Sequence, residues 1–575
     1  MPLPRFFSAI LFSLAGALFF APPAYAAAKR FAPYGGQLVL ATTSDPKTFN
    51  DIVARETSST QITGLIFEGL TTVNAVDLRV EPLLARRWEV SADGLIWTFY
   101  LRRDVRWNDG IPFTAADVVF TFNELIYNPD IPSSAADFFL IGGKPIRVEA
   151  VDRYTVRFTL PNRFAPFLRS MSQPILPAHC LRSAVAQKKF NFTWGIDTPP
   201  EQIVGTGPFA LAAYRPGERV VLKRNPFYWK VSLQGDRLPY LERVIYVIVQ
   251  NPDTEMLKFI DGELDEYGIR GADYPLLKPR EKEKKFTIYE NGPASGSNFL
   301  LFNQNTGINP RTGKPFVAPY KSAWFTNLNF RKAVAHAIDK KRIIEILMNG
   351  LGYAQDSAIN VNEGVFYNPD VVKYPYDLRQ AAALLKQAGF WDRNGDGVIE
   401  DSQGHPVEFN LATNAGAAER LQIAAIIRSD LERLGMRVNF KIVEFNALVN
   451  QLTASYDWDA VIMGLSGGGA DPHFSVNVWS SSGGLHMWYP RQKSPATAWE
   501  ARIDAIFQDA VQALDESQRK KLYDEFQAIV ADQVPLIYTV LEAKIYAVRD
   551  KFGNLKPANY GGAFHNIEEI YIRKP

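Results

Sequence analysis

The chain runs to 575 residues, 47% of them hydrophobic, long enough to bury more than one core without covalent staples. Its 63 Lys and Arg against 61 Asp and Glu leave a net charge of +2, which excludes the broad basic surface that nucleic acid or an acidic membrane would require. The one cysteine, Cys180, excludes an intramolecular disulfide and reads as a small buried thiol.

Residues 1–28 open with one cation, Arg5, continue as an apolar run over 6–20, and end in the small-residue stretch Ala24-Tyr-Ala26. That pattern predicts a secretory signal cut near Ala26 to Ala28. A spanning helix needs about 20 apolar residues, more than this run supplies, and no cysteine follows it to carry a lipid. The expected destination is therefore an envelope space such as a periplasm, reached without stable membrane insertion.

Downstream, 95–101 and 155–160 alternate apolar and polar residues and predict half-buried strands. The basic run 278–285 is interleaved with Glu281 and Glu283, as on a solvated face. A broad apolar stripe predicts one helix over 330–347, stopped by Gly350. Asp377 is placed to cap a second helix, 378–388, closed by Gly389, and a third spans 417–434 before Gly435. A strand at 437–443, a further helix and a strand at 458–463 follow, the order of an α/β lobe with a largely parallel sheet. Two Gly- or Pro-bearing stretches, 291–298 and 532–538, are candidate crossings between lobes.

Two motifs offer chemistry. Gly464-Leu-Ser-Gly-Gly468, at the carboxyl end of a sheet strand, fits the G-x-S-x-G pattern of a hydrolase elbow. The glycines and Pro472 that follow Ser466 make a poor helix start, whereas glycines without Cβ atoms let main-chain groups approach a bound solute. In Asp392-Arg-Asn-Gly-Asp-Gly-Val-Ile-Glu400, Asp392, Asn394, Asp396 and Glu400 stand at the first, third, fifth and ninth places of a calcium loop. The twelfth place holds Gln403 instead of a bidentate Glu, so a structural calcium and a metal-free turn are both open.

The segment 85–113, ARRWEVSADGLIWTFYLRRDVRWNDGIPF, resembles the signature of family 5 extracellular solute-binding proteins, the dipeptide- and oligopeptide-binding components of ABC importers. The resemblance continues through Gly205-Thr-Gly-Pro-Phe209, Lys223-Arg-Asn-Pro-Phe-Tyr-Trp229, Gly262-Glu-Leu-Asp265, FRKAVAHAID at 330–339 and AAALLKQAG at 381–389, in order over the mature chain. It implies an α/β, two-lobed periplasmic-binding-protein fold of type II, the large peptide-binding type, whose N- and C-terminal segments share one lobe. The implied boundaries are lobe I over 29–295 with an inserted subdomain at roughly 75–200, lobe II over 296–534, and a return to lobe I over 535–575. It implies a monomer without catalytic activity or a required cofactor, which encloses a peptide or other small polar solute and delivers it to an inner-membrane ABC permease.

The resemblance also suggests where the solute sits. Thr43 and Ser44 match the family's loop after the first strand, and Asn298 and Phe299 follow the first crossing at the cleft edge. In peptide-binding relatives the loop aligned here on Asp471-Pro472 carries an aspartate that holds the ligand's α-ammonium. This chain has Gly468 at that place, and no carboxylate from Ser466 to Ala470. Gly467 and Gly468 are then expected as a main-chain cradle, with Asp471 either on the ligand or capping a helix behind Pro472. His486 and Trp488 are aromatic candidates for stacking on it. The missing carboxylate leaves an oligosaccharide or another polar solute without a free amine as the alternative cargo; a secreted serine hydrolase is the alternative of another class.

Overall fold

The structure, a computed structural model, describes residues 34–54, 56–133, 135, 139–415, 417–465 and 471–574. The expected signal, 1–28, lies outside them. Among the described residues no helix is long and apolar enough to cross a membrane.

The chain folds into two lobes. The first begins with strand Gln37–Thr42, paired in parallel with Arg243–Ile248; Arg219–Arg224 and Phe209–Arg215 extend this sheet antiparallel. A second sheet sets Val540–Arg549 between Glu266–Gly268 and Phe286–Pro293, so the C-terminal segment completes the N-terminal lobe. A separate antiparallel sheet of Ala85–Val90, Ile96–Leu101, Thr155–Thr159 and Arg147–Asp152 packs Trp97, Phe99, Val156 and Phe158 inward, as the alternation predicts.

Several motifs that carry the resemblance hold this lobe together. A Cβ at Gly205 or Gly207 would lie 2.0 Å from the Ile66 carbonyl oxygen or 2.5 Å from that of Leu65, so only glycine lets the two backbones meet. Tyr228 and Trp229 donate to the buried carboxylate of Glu68 at 3.2 and 3.0 Å. Asp265 accepts the Val39 N–H at 2.8 Å and pairs with Lys551 at 2.7 Å.

The second lobe is built on a five-stranded sheet ordered Arg437–Val443, Glu408–Asn414, Ala460–Leu465, Ser297–Phe302, Leu536–Tyr538. Its first three strands run parallel, but Ser297–Phe302 is antiparallel to both of its neighbours, so the sheet is mixed where a largely parallel one is expected. The reason is that Ser297–Phe302 enters from the other lobe instead of through a helical crossover. Both faces are covered: Leu300 and Phe302 join one core with Phe330, Phe409 and Ile427, while Phe299 and Leu301 join another with Trp479, Trp488 and Phe526.

The single helix expected over 330–347 is two, Leu328–His336 and Lys340–Leu347. Asp339 breaks it, its carboxylate accepting the Arg342 N–H at 2.9 Å as a cap. Asp377 does cap Leu378–Gln387, accepting from Arg379 and Gln380. Arg331 is buried, donating to the carbonyls of Phe325, Gln533 and Val534; it thereby closes the C-terminus of helix Glu516–Gln533.

Candidate functional site

The chain passes between the lobes twice, side by side. Phe286–Pro293 lies in the first lobe's sheet and Ser297–Phe302 in the second's; Leu536–Tyr538 and Val540–Arg549 make the return. Leu536–Tyr538, which the sequence reading gives to the returning segment, pairs with Phe299–Leu301, so the change of sheet falls at Thr539. Thr539 donates from its N–H and its hydroxyl to the Asn298 carbonyl at 2.9 and 3.1 Å, tying the two crossings together. Asparagines hold the remaining polar backbone. Asn360 donates to the carbonyls of Ala294 and Gly296 at 3.2 and 3.1 Å, and Asn559 from the C-terminal segment donates to Pro293 at 2.8 Å.

In front of the crossings the lobes touch. The Ala165 N–H donates to the Val511 carbonyl at 2.7 Å, and Phe164 meets His473 edge to face with ring centroids 5.5 Å apart. Burial lowers His473 to about 4 against the pull of Asp471, so it is neutral at this seam. Gly364, at φ 62°, sits against Leu78, whose Cδ1 would lie 3.2 Å from a Cβ built there.

One cavity opens at the first crossing, and a second opens on the first lobe. The one at the crossing, of about 230 Å³, is lined by Gly296 and Ser297 with Glu363, Leu465, Phe474 and Tyr538. A larger one of about 690 Å³, on the first lobe, is lined by Lys230, Tyr246, Glu266, Tyr546 and His565 among others. Burial lifts the Glu363 carboxyl to about 8, with the nearby charge of Asp471 adding to it and the Asn360 N–H opposing. Glu266 is lifted to about 7 by burial and by Glu255, against Lys544. Neither acid stands in a recognisable motif; their locations depend on chain segments that meet only in three dimensions.

The expected site residues fare differently. Thr43 and Ser44 are exposed directly after strand Gln37–Thr42, and Asn298 is half-buried at the crossing. Ser466, Gly467 and Gly468 lie outside the described residues, at the end of Ala460–Leu465. Phe299, Asp471, His486 and Trp488 are corrections, because each is buried with its partners inside the protein. Phe299 is 0% exposed because alternate residues of its strand point into opposite cores. Asp471 forms a two-toothed ion pair with Arg519, 2.7 Å at both oxygens, and accepts the His473 N–H, the capping role. His486 and Trp488 both reach Glu500 Oε1, at 3.0 and 3.1 Å, beneath the surface.

In the 392–400 loop, Asp392, Asp396 and Glu400 bring carboxylate oxygens within 4.8 Å of one another. Those oxygens are already engaged: Asp392 accepts from Gly395 and Gly397, Asp396 from Val398, and Glu400 from Arg393 N–H and Asn394 Nδ2. Asn394 Oδ1 accepts the Asp396 N–H at 2.8 Å. These side-chain oxygens thus serve the turn's own backbone donors.

Comparison with known proteins agrees with this architecture. The chain is 27% identical over 541 residues to a probable ABC transporter-binding protein of Deinococcus radiodurans, covering 90% of this chain and 89% of that one. It is 26% identical over 554 residues to the oligopeptide-binding protein AppA of Bacillus subtilis, covering 94% and 92%. The solved structure of AppA from Bacillus subtilis in complex with a nonapeptide superposes with a TM-score of 0.68 at 24% identity, over 95% of this chain and all of that one. The family model described as bacterial extracellular solute-binding proteins, family 5 Middle, matches residues 79–486, and the chain belongs to that family.

Proposed function

We propose that the protein captures a peptide-like solute between its lobes in the periplasm and hands it to an inner-membrane ABC permease. The observation that carries this reading is the pair of adjoining crossings, tied by Thr539 to Asn298, with a cavity opening beside them and further lobe-to-lobe contacts at Ala165 and Val511. Two short strands so joined can flex as a hinge, and a solute that touches both lobes only when they are closed shifts the balance toward closure. A permease then distinguishes loaded from empty protein. Thr43, Ser44, Gly296, Ser297 and the glycines after Leu465 are the assigned contacts, and the protein acts as a monomer after removal of residues 1–28. Capture itself needs no cofactor.

A thermal-shift screen of di- to pentapeptides against oligosaccharides tests the cargo, because a ligand selective for the native state raises its melting temperature. A rise with peptides is expected; response to oligosaccharides alone would replace the peptide reading. Ser466→Ala is expected to leave peptide affinity unchanged within a factor of about two, where a hydrolase would lose all turnover.

A further inference from the structure

The 230 Å³ cavity at the hinge is walled by apolar residues, Leu465, Phe474, Trp479, Leu485 and Leu536 among them, and by Gly296 and Ser297. It has room for the end of a solute or one side chain, with the rest lying outside. No lysine, arginine or histidine is among the described residues that line it, and one carboxylate is: Glu363. Among the described residues no cation pairs with Glu363, and none contributes to its titration. The charged and titratable groups facing it are Asp471, whose charge is matched by Arg519, and the phenols of Tyr523 and Tyr538. A carboxylate in a cavity beside apolar walls is costly to ionise until a cation arrives from outside.

We infer that Glu363 is the counter-ion of the cargo, and that this cavity selects a primary ammonium group. The inference rests on the peptide reading above and deepens it. Ser466 to Ala470, which follow strand Ala460–Leu465 in sequence, contain no carboxylate, so the acid for an ammonium comes from the 361–366 turn instead. Tyr538, which lines the cavity near Glu363, can accept one of the remaining N–H donors of the ammonium. Because burial holds Glu363 protonated to about pH 8, an arriving ammonium ionises it, and a proton leaves to solvent as the ion pair forms. Affinity for amine cargo therefore weakens as pH falls below about 8.

Calorimetry on the full mature protein tests this with Ala-Ala-Ala, acetyl-Ala-Ala-Ala and acetyl-Ala-Lys-Ala. The wild type is expected to prefer at least one ammonium-bearing peptide over acetyl-Ala-Ala-Ala by about tenfold or more. The arm that binds tells whether the group is a chain terminus or a side chain. Glu363→Gln should abolish the preference, and Glu363→Asp should keep part of it. Should the variants not fold, titrations of the wild type at pH 7 in buffers of different ionisation enthalpy decide: release of close to one proton with the preferred peptide supports the inference, and no release overturns it. Peptides that bind the wild type and Glu363→Gln with the same amine preference overturn this inference and leave the function standing. Failure of all three peptides to bind overturns both.

Discussion

Arg519 and Asp471 meet in the second lobe at 7% and 0% side-chain exposure, joined by two hydrogen bonds of 2.7 Å. An ion pair buried this deeply is costly to break from one side, because the remaining charge has neither water nor partner. Arg519→Met is expected to lower unfolding free energy by about 3–5 kcal/mol, and adding Asp471→Asn to recover part of the loss, measured by urea denaturation. Trp488 makes a different point. Its indole N–H feeds Glu500 in a core shared with Trp479, so Trp488→Phe should cost about 1–2 kcal/mol of stability while leaving peptide affinity within a factor of about two. A large loss of affinity with stability intact would return Trp488 to the cleft. These side chains look like binding residues in sequence because ligand clefts and cores draw on the same aromatic and acidic residue types.

At the scale of elements, capping decides where helices end. Helix Lys340–Leu347 starts at Asp339 because a carboxylate in the chain offers backbone N–H groups an acceptor that a continuous helix would forgo. Asp339→Ala should cost about 1 kcal/mol in denaturation without changing the slope with urea. The 392–400 turn follows the same logic, with side-chain oxygens serving backbone donors. Calcium or a chelator is expected to leave the melting temperature unchanged, and a rise with calcium alone would assign a metal to the loop. The hydrophobic period made both the stripe at 330–347 and the strand at 458–463 legible. It could not reveal the break at Asp339, because capping and mid-helix aspartates look alike until the chain turns.

Across the whole molecule, closure and protonation are coupled to burial. Contact of Ala165 with Val511, and of Leu78 with Gly364, exists only with the lobes together, so a tight ligand should reduce the radius of gyration in solution scattering. Unchanged profiles with a bound ligand would argue against a hinge. Glu68 and Glu266, each lifted to about 7 mainly by burial, keep protons in the folded state that the unfolded chain releases near 4.5. The sign follows: the folded state binds more protons between these values, so this contribution is full at low pH and is lost as pH rises through about 7. Melting temperature should fall over that window, and Glu68→Gln should flatten the fall.

Read alone, the sequence determined the α/β character, the export signal expectation and the family, because these rest on local periodicity and on motifs such as Gly205-Thr-Gly-Pro-Phe209 whose glycines answer a backbone only angstroms away. Tertiary structure decided which polar residues face a cavity. Asp471 and Glu363 are alike as isolated carboxylates, yet one is matched by an arginine 48 positions along the chain and the other has no cationic partner among the described residues. A side chain's partner is set by which segments the fold brings together, and that information is not local in the chain.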